Sequence, residues 1–332
     1  MHGRRGIKHV AEGVAALAVL GFLLAIAFLH AGKTTPTHAD FGATFSTLYA
    51  AQLGLDVHAT YLAILDDLQI KHLRLPLYWS SIEQAPDSYD WSDVDWMLKE
   101  AQQRGVQVTL AIGRKVPRWP ECFMPDWAES LSSKDQQAAL TSYLHELILR
   151  YDGMSSVVRY QVENEALLPF GSCPLPDPEL YKAEIDLVHN LSKKPVMLTV
   201  SGEQDAWVDV AVPADVLGAS LYKTTWNDLI GYFIFPVGST FYQVKLAVAR
   251  PFVTSAVLSE LQAEPWFAQA QTETPLPLQA KLFTVDDLHT QVELAKSIGF
   301  DEIDLWGVEW WYWMKLQGRP DLWEAGKKIY GF

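Results

Sequence analysis

The sequence predicts an α/β fold, a (β/α)8 TIM barrel preceded by an N-terminal transmembrane helix, on three observations. Eight short runs of β-branched and aliphatic residues alternate with helical patterns across residues 40–332, which is the size and order of that barrel. The first run, Phe41-Gly42-Ala43-Thr44-Phe45, is not followed by Gly-x-Gly-x-x-Gly, so an open doubly wound sheet is the weaker choice. Ahead of the array, Gly13 to Leu29 carries no charge and approaches the roughly 20 residues that cross a bilayer as a helix.

Residues 1–39 are therefore expected to form a cytoplasmic tip, a membrane helix over about 10–31 and a linker. Arg4, Arg5 and Lys8 precede the apolar stretch and orient it with the N-terminus inside. The rival is a signal peptide cleaved after Thr37-His38-Ala39. Both readings put residues 40–332, the expected catalytic domain, outside the cytoplasm.

The strands are expected at Phe41–Ser46, Ile70–Pro76, Val106–Ile112, Val157–Glu163, Pro195–Val200, Val216–Leu221, Phe252–Ser259 and Glu302–Gly307, each bounded by turn signals. Helices are expected at Ser92–Arg104 with Ser92 as cap, Lys134–Arg150, Pro178–Leu191, a short Ala206–Val210, Phe241–Ala249, Val285–Ile298 and Leu322–Tyr330. Residues 261–283 and 308–317 read as aromatic, apolar loops. They lack the glycines of a phosphate grip, which argues against a phosphorylated substrate.

Composition narrows the function. Apolar residues are 49% and charged residues 20%, enough for a sizeable core. The net charge is −14, or −17 without residues 1–39, and an acidic surface makes a poor nucleic-acid partner. Nine His and two Cys include no Cys-x-x-Cys and no His-x-x-x-His, so neither a metal nor another cofactor is expected. Cys122 and Cys173 either pair or stay free thiols.

Chemistry in a barrel sits where strands end. Gln161-Val162-Glu163-Asn164-Glu165 closes the fourth strand and Ser259-Glu260 the seventh. The alternatives are a surface acidic cluster and a structural ion pair. Glu264 competes with Glu260, although Pro265 holds it toward extended loop geometry. Two carboxyl groups on one barrel mouth, one protonated and one ionised, are what glycoside cleavage requires. Arg74 ends the second strand, where a cation keeps a neighbouring carboxylate ionised, and Tyr222 ends the sixth. Of 13 Trp, Trp79, Trp119, Trp226, Trp266, Trp306, Trp310, Trp311 and Trp313 fall on strand ends or the loops beyond, suggesting a ring-stacking cleft for carbohydrate. Trp306 is the best single platform. The cations of Gly113-Arg114-Lys115-Val116-Pro117-Arg118-Trp119 either bind an acidic sugar or, preferred here, pair with Glu121, Asp126 and Glu129.

Arg74, Asn164-Glu165, Tyr222, Ser259-Glu260 and Trp306 in this order resemble glycoside hydrolase clan A, retaining (β/α)8 enzymes that include cellulase-like and β-galactosidase-like members. The resemblance spans about residues 40–330. It implies Glu165 as acid/base, Glu260 as nucleophile and Asn164 as ligand of the sugar 2-hydroxyl. Arg74, Tyr222, Trp306, Trp79, Trp119, Glu264 and Trp266 are the further substrate-binding candidates. A His often found near the barrel mouth before the acid/base has no counterpart here. The expected activity is retaining hydrolysis of β-glycosidic bonds, with a membrane-anchored transglycosylase or a non-catalytic glycan-binding barrel as alternatives.

Overall fold

The computed structural model describes Gly21 and residues 39–331. The expected membrane segment and linker lie outside the described residues apart from Gly21. Among the described residues no helix is long and apolar enough to cross a membrane.

Eight parallel strands close into a barrel: β1 (Asp40–Thr44), β2 (His72–Pro76), β3 (Gln107–Ile112), β4 (Val157–Val162), β5 (Val196–Val200), β6 (Val216–Leu221), β7 (Ser255–Gln262) and β8 (Glu302–Trp306). Closure pairs β1 with β8, Asp40 opposite Glu302 and Ala43 opposite Leu305. Strand alternation divides each strand between two environments. Leu73, Leu75, Leu110, Tyr160 and Val162 join the apolar layer under the helices. His72, Arg74, Thr109, Arg159, Gln161 and Glu302 interact across the barrel. Arg159 donates to Thr109 Oγ1 at 2.6 Å and pairs with Glu302, which also lies 3.2 Å from the His72 ring. Burying a polar group is costly unless it is partnered, and here hydrogen bonds and ion pairs among these side chains replace a layer of aliphatic packing.

The strand array follows the expectation, with corrections at its ends. β1 stops at Thr44, because Ser46 caps the helix Thr47–Gln52 by accepting from Tyr49 N at 3.0 Å. β7 begins three residues later than expected. Pro251 has no amide hydrogen to give a ladder and sits in a 3-10 turn, Arg250–Phe252. β7 also runs on to Gln262, so Glu260 stands inside the strand. Ser92 begins its helix but does not cap it; Trp91 holds that position.

Six helices among the described residues depart from the expectation: four short ones, Thr47–Gln52, Trp79–Ile82, Asp126–Glu129 and, inside the expected loop 261–283, Leu276–Leu282, and two longer ones. Val57–Asp67 is capped by Asp56 and buries Thr60, Tyr61, Ile64 and Leu65 on one face. Val308–Leu316 replaces the expected loop after β8 and buries Trp310 and Trp311 fully. It starts at Gly307, whose φ of +115° suits glycine and whose absent Cβ would lie 2.5 Å from the Glu264 Cβ. The stretch after β6 also holds an unread hairpin, Thr224–Asn227 against Gly231–Ile234. Cys122 and Cys173 are paired, Cα atoms 5.3 Å apart, joining the segments that follow β3 and β4.

Candidate active site

β7 carries one residue more than its neighbours. Against β6, Ala219 faces Leu258 but Ser220 faces Glu260; against β8, Ile303 faces Leu258 but Leu305 faces Leu261. A bulge of this kind re-aims side chains locally, and here it falls at Ser259-Glu260. Glu260 thereby meets Arg74, whose guanidinium has no solvent exposure. Arg74 Nη1 donates to Glu260 Oε1 at 2.7 Å, Nη2 to Asn164 Oδ1 at 2.8 Å and Nε to Gln161 Oε1 at 2.6 Å. The other Glu260 oxygen accepts from the Tyr222 hydroxyl at 2.8 Å. Both oxygens are fixed, one by a cation and one by a phenol.

Past the end of β4 the chain turns sharply, with φ of 54° at Glu163 and 44° at Glu165. The turn sends the two carboxyl groups to different places. Glu163 accepts from the amides of Arg114 and Lys115, both at 2.7 Å, and props the loop after β3. That contact leaves Gly113 no room for a side chain, since its Cβ would lie 2.5 Å from Glu163 Oε1. Burial raises the pKa of Glu163 and, well above the usual range, that of its neighbour Glu184. Glu165 instead faces a cavity of about 670 Å³ at the C-terminal end of the barrel, which Glu260, Asn164 and Tyr222 also line. Glu165 Oε1 accepts from Ser220 Oγ at 2.8 Å, and its amide donates to Thr199 Oγ1 at 2.8 Å. Its pKa is pushed well above the carboxylate range, first by burial, then by the negative charges of Glu260 and Glu121. Glu165 is thus a carboxyl whose surroundings favour its proton, beside a glutamate paired with Arg74.

Glu121 is the residue that sequence reasoning missed, having been read as a partner for loop cations. It follows a cis Trp119-Pro120 bond, has φ of 76° and lines the cavity. Its Oε2 accepts from Asn164 Nδ2 at 3.2 Å. With Asn164 Oδ1 held by Arg74 and, at 3.2 Å, by Gln161 Nε2, the amide has one orientation, leaving its second N–H unspent. Burial and then the Glu260 charge push the Glu121 pKa up to about 8 from 4.5. Only an irregular turn brings Glu121 to the cavity, and its flanking sequence carries no signal for that.

A folded pKa above the unfolded one gives stability that is complete below about 4.5 and is lost as pH rises through about 8. Glu121→Gln keeps the acceptor and cannot titrate. We expect the melting temperature of Glu121→Gln minus that of wild type to rise by several degrees from pH 5 to pH 9, at about 2 °C per kcal/mol for a chain this long. Thermal melts of both proteins across that range check it, and a difference flat with pH would show that Glu121 carries no buried proton.

The other candidates divide. Glu264 lies beyond β7 and also lines the cavity, but it pairs with Arg118 at 2.5 Å and accepts from the Tyr49 hydroxyl at 2.8 Å. Arg118 stacks between Tyr49 and Trp306, 3.6 and 4.0 Å from their ring centres, and lies 3.7 Å from Glu309. Burial raises Glu309 to about 7. The loop cation therefore pairs with Glu264 and Glu309, not with the expected Glu121, Asp126 and Glu129, and it covers one face of the expected platform Trp306. Lys115 Nζ donates to the carbonyls of Glu165 and Leu168. Trp119 and Trp266 line the cavity.

Trp79 is a correction. It does not reach the cavity: it begins the helix Trp79–Ile82, which turns its ring into the core against Tyr143, where Nε1 donates to Glu83 Oε2 at 2.7 Å. Trp310 and Trp311 are core residues as well, donating to Gln279 Oε1 and the Ala263 carbonyl. Among the described residues no cluster of His, Cys, Asp and Glu is placed to hold a metal ion.

No protein-family model matches the chain, and no curated protein matches it. Solved structures do. A GH5_18 protein from Bifidobacterium longum subsp. longum, in complex with Manb1-4GlcNAc, aligns with TM-score 0.57 and 13% identity over 81% of this chain and 68% of that one. Xylanase 10B from Thermotoga petrophila, in complex with xylobiose, aligns with TM-score 0.53 and 13% identity over 80% and 81%. A beta-glucosidase from Exiguobacterium marinum aligns with TM-score 0.53 and 11% identity over 81% and 90%. At these identities what is shared is the barrel fold.

Proposed function

We propose that the chain is a retaining O-glycosidase acting on β-glycosidic bonds. The observation that carries the reading is the pairing of unlike carboxyl groups on one cavity: Glu165, kept protonated by burial and by neighbouring negative charge, and Glu260, paired with Arg74 and Tyr222. Their unlike environments support the following division of roles. Glu260 attacks the anomeric carbon while the Glu165 proton passes to the departing glycosidic oxygen, leaving a glycosyl ester on Glu260 and an ionised Glu165. That carboxylate then takes a proton from water, the water oxygen bonds to the anomeric carbon, and Glu260 leaves as carboxylate. Two displacements retain the configuration. In this reading the second N–H of Asn164 serves the sugar 2-hydroxyl. The sharing of a barrel fold with glycoside hydrolases is consistent with this chemistry.

The same reading places the barrel outside the cytoplasm, anchored by the apolar segment at about 10–31. The Cys122–Cys173 disulfide supports an oxidising compartment. The test of function is a screen on chromogenic β-glucosides, β-galactosides and β-mannosides and on common polysaccharides, with the first product's anomeric configuration read by proton NMR. Hydrolysis with retention is expected. An inverted product, or no hydrolysis of any substrate, overturns the proposal.

A further inference from the structure

After β6 the chain leaves the barrel as the hairpin Thr224–Asn227 and Gly231–Ile234. Its base is fixed to the active-site wall. Thr224 N donates to Gln262 Oε1 at 3.0 Å, Gln262 Nε2 donates back to Thr224 O at 2.7 Å, and Lys223 Nζ donates to the carbonyls of Phe235 and Val237. Thr225 and Phe235 line the cavity. The far end is different. Residues 229–235 read Leu-Ile-Gly-Tyr-Phe-Ile-Phe. Leu229 is 90% exposed, Ile230 64% and Ile234 61%, with Tyr232 and Phe233 also open.

The pattern of exposure identifies what would cover it. Successive strand residues point to opposite faces, so Tyr232 and Ile234 share one face and Phe233 lies on the other. Toward the tip both faces carry exposed apolar side chains, while nearer the base Thr225 and Phe235, on the Phe233 face, turn to the cavity. A fluid apolar medium covers exposed side chains on both faces of such a ribbon at once. Trp226 and Tyr232 pack edge to face at 4.8 Å, with Trp226 Nε1 donating to Asp228 Oδ1 at 3.0 Å. Rings with one apolar body and one polar end are favoured at the boundary between water and hydrocarbon. Asp228 is the single charged residue between 224 and 234, and the domain is acidic, so attraction to an anionic surface plays no part. At the same end of the barrel, the loops after β3 and β4 expose Trp119, Phe170 and Leu175.

We propose that the hairpin inserts its tip, Leu229 to Ile234, into a neutral lipid surface and so holds the mouth of the cavity against that surface. A cavity held this way meets sugars carried at the lipid surface. The insertion does not depend on the glycosidase reading, and Glu260→Ala protein should insert equally.

The two cysteines of the chain are joined to each other, so Ile230→Cys adds the only free thiol. A polarity-sensitive fluorophore on that thiol reports where residue 230 sits in the full chain bound to phosphatidylcholine vesicles. The same label on Leu149→Cys, 58% exposed on the helix Ser133–Tyr151, is the control. The label at 230 should shift to the blue, be quenched severalfold by nitroxide-bearing acyl chains and be shielded from iodide in the water. The label at 149 should show the reverse, whether or not the N-terminal segment also anchors the chain. Iodide quenching at 230 equal to that at 149 would overturn the proposal. A blue shift at 230 that appears without vesicles as protein concentration rises would assign the tip to a second copy of the chain, and would also overturn it.

Discussion

Glu260→Ala should abolish turnover on every β-glycoside, with kcat/KM lower by at least about 10⁴-fold, because no glycosyl-enzyme can form without its carboxylate. The substitution also strips Arg74 of its ion-pair partner at a site without solvent exposure, and an uncompensated buried charge is costly to the fold. Glu260→Gln, which keeps an acceptor for Arg74, separates the two effects: it should melt closer to wild type than Glu260→Ala and be nearly as inactive. Azide is small enough to occupy the space the alanine opens. Added to Glu260→Ala with a dinitrophenyl glycoside, it should yield the glycosyl azide of inverted configuration. Glu264→Ala is the discriminating control, since Glu264 faces the same cavity from a position four residues on. If Glu264→Ala is the inactive protein and Glu260→Ala still turns over, the nucleophile is Glu264, and Glu260 serves only to balance Arg74.

Glu165→Ala should show a loss that depends on the leaving group. With poor leaving groups the absence of a proton donor lowers kcat/KM by about 10²–10⁴-fold. A dinitrophenyl group departs without help, so the intermediate still forms on that substrate and then persists, because no base remains to activate water. Mass spectrometry should find the glycosyl ester, and a pre-steady-state burst should precede slow turnover. Azide, which needs no base, should restore turnover and give the azide of retained configuration. The pH profile adds a sign test. Glu165 acts first as an acid and must hold its proton, so wild-type kcat/KM falls as pH rises through its raised pKa. That alkaline limb should be missing from Glu165→Ala on the dinitrophenyl substrate. Exchange of the two azide products between the variants would reverse the assignment of nucleophile and acid/base.

The residues that act through short, regular backbone were legible in the chain. Eight apolar runs separated by turn signals gave the strands, and residues at their C-terminal ends, Asn164-Glu165, Tyr222 and Glu260, meet on one cavity, with the buried Arg74 holding Glu260 and Asn164 behind it. Period-two alternation and strand ends are local properties, and a barrel turns strand ends into one rim. Length and apolar spacing were likewise enough for most helices, because an amphipathic helix declares its buried face within a few turns.

What the sequence left open lies where the backbone departs from those periods. A bulge in β7 sets the aim of Glu260, and positive φ at Glu163 and Glu165 separates two glutamates that strand alternation would have put on one face. Glu121 enters the site from an irregular turn, and Trp79 leaves it because a helical turn starts at its own position. Residues 308–316 show the same limit: a run of aromatic residues after a strand suits loop or helix equally until Gly307 and the wall it packs against choose. Arg118 had several carboxylates within plausible reach, and its choice of Glu264 and Glu309 depends on segments about 145–190 residues away in the chain. Each of these outcomes is decided by a comparison of long-range alternatives, such as which carboxyl is desolvated and which cation has room to stack. Those energies depend on neighbours supplied by closure of the barrel, which no stretch of sequence contains by itself.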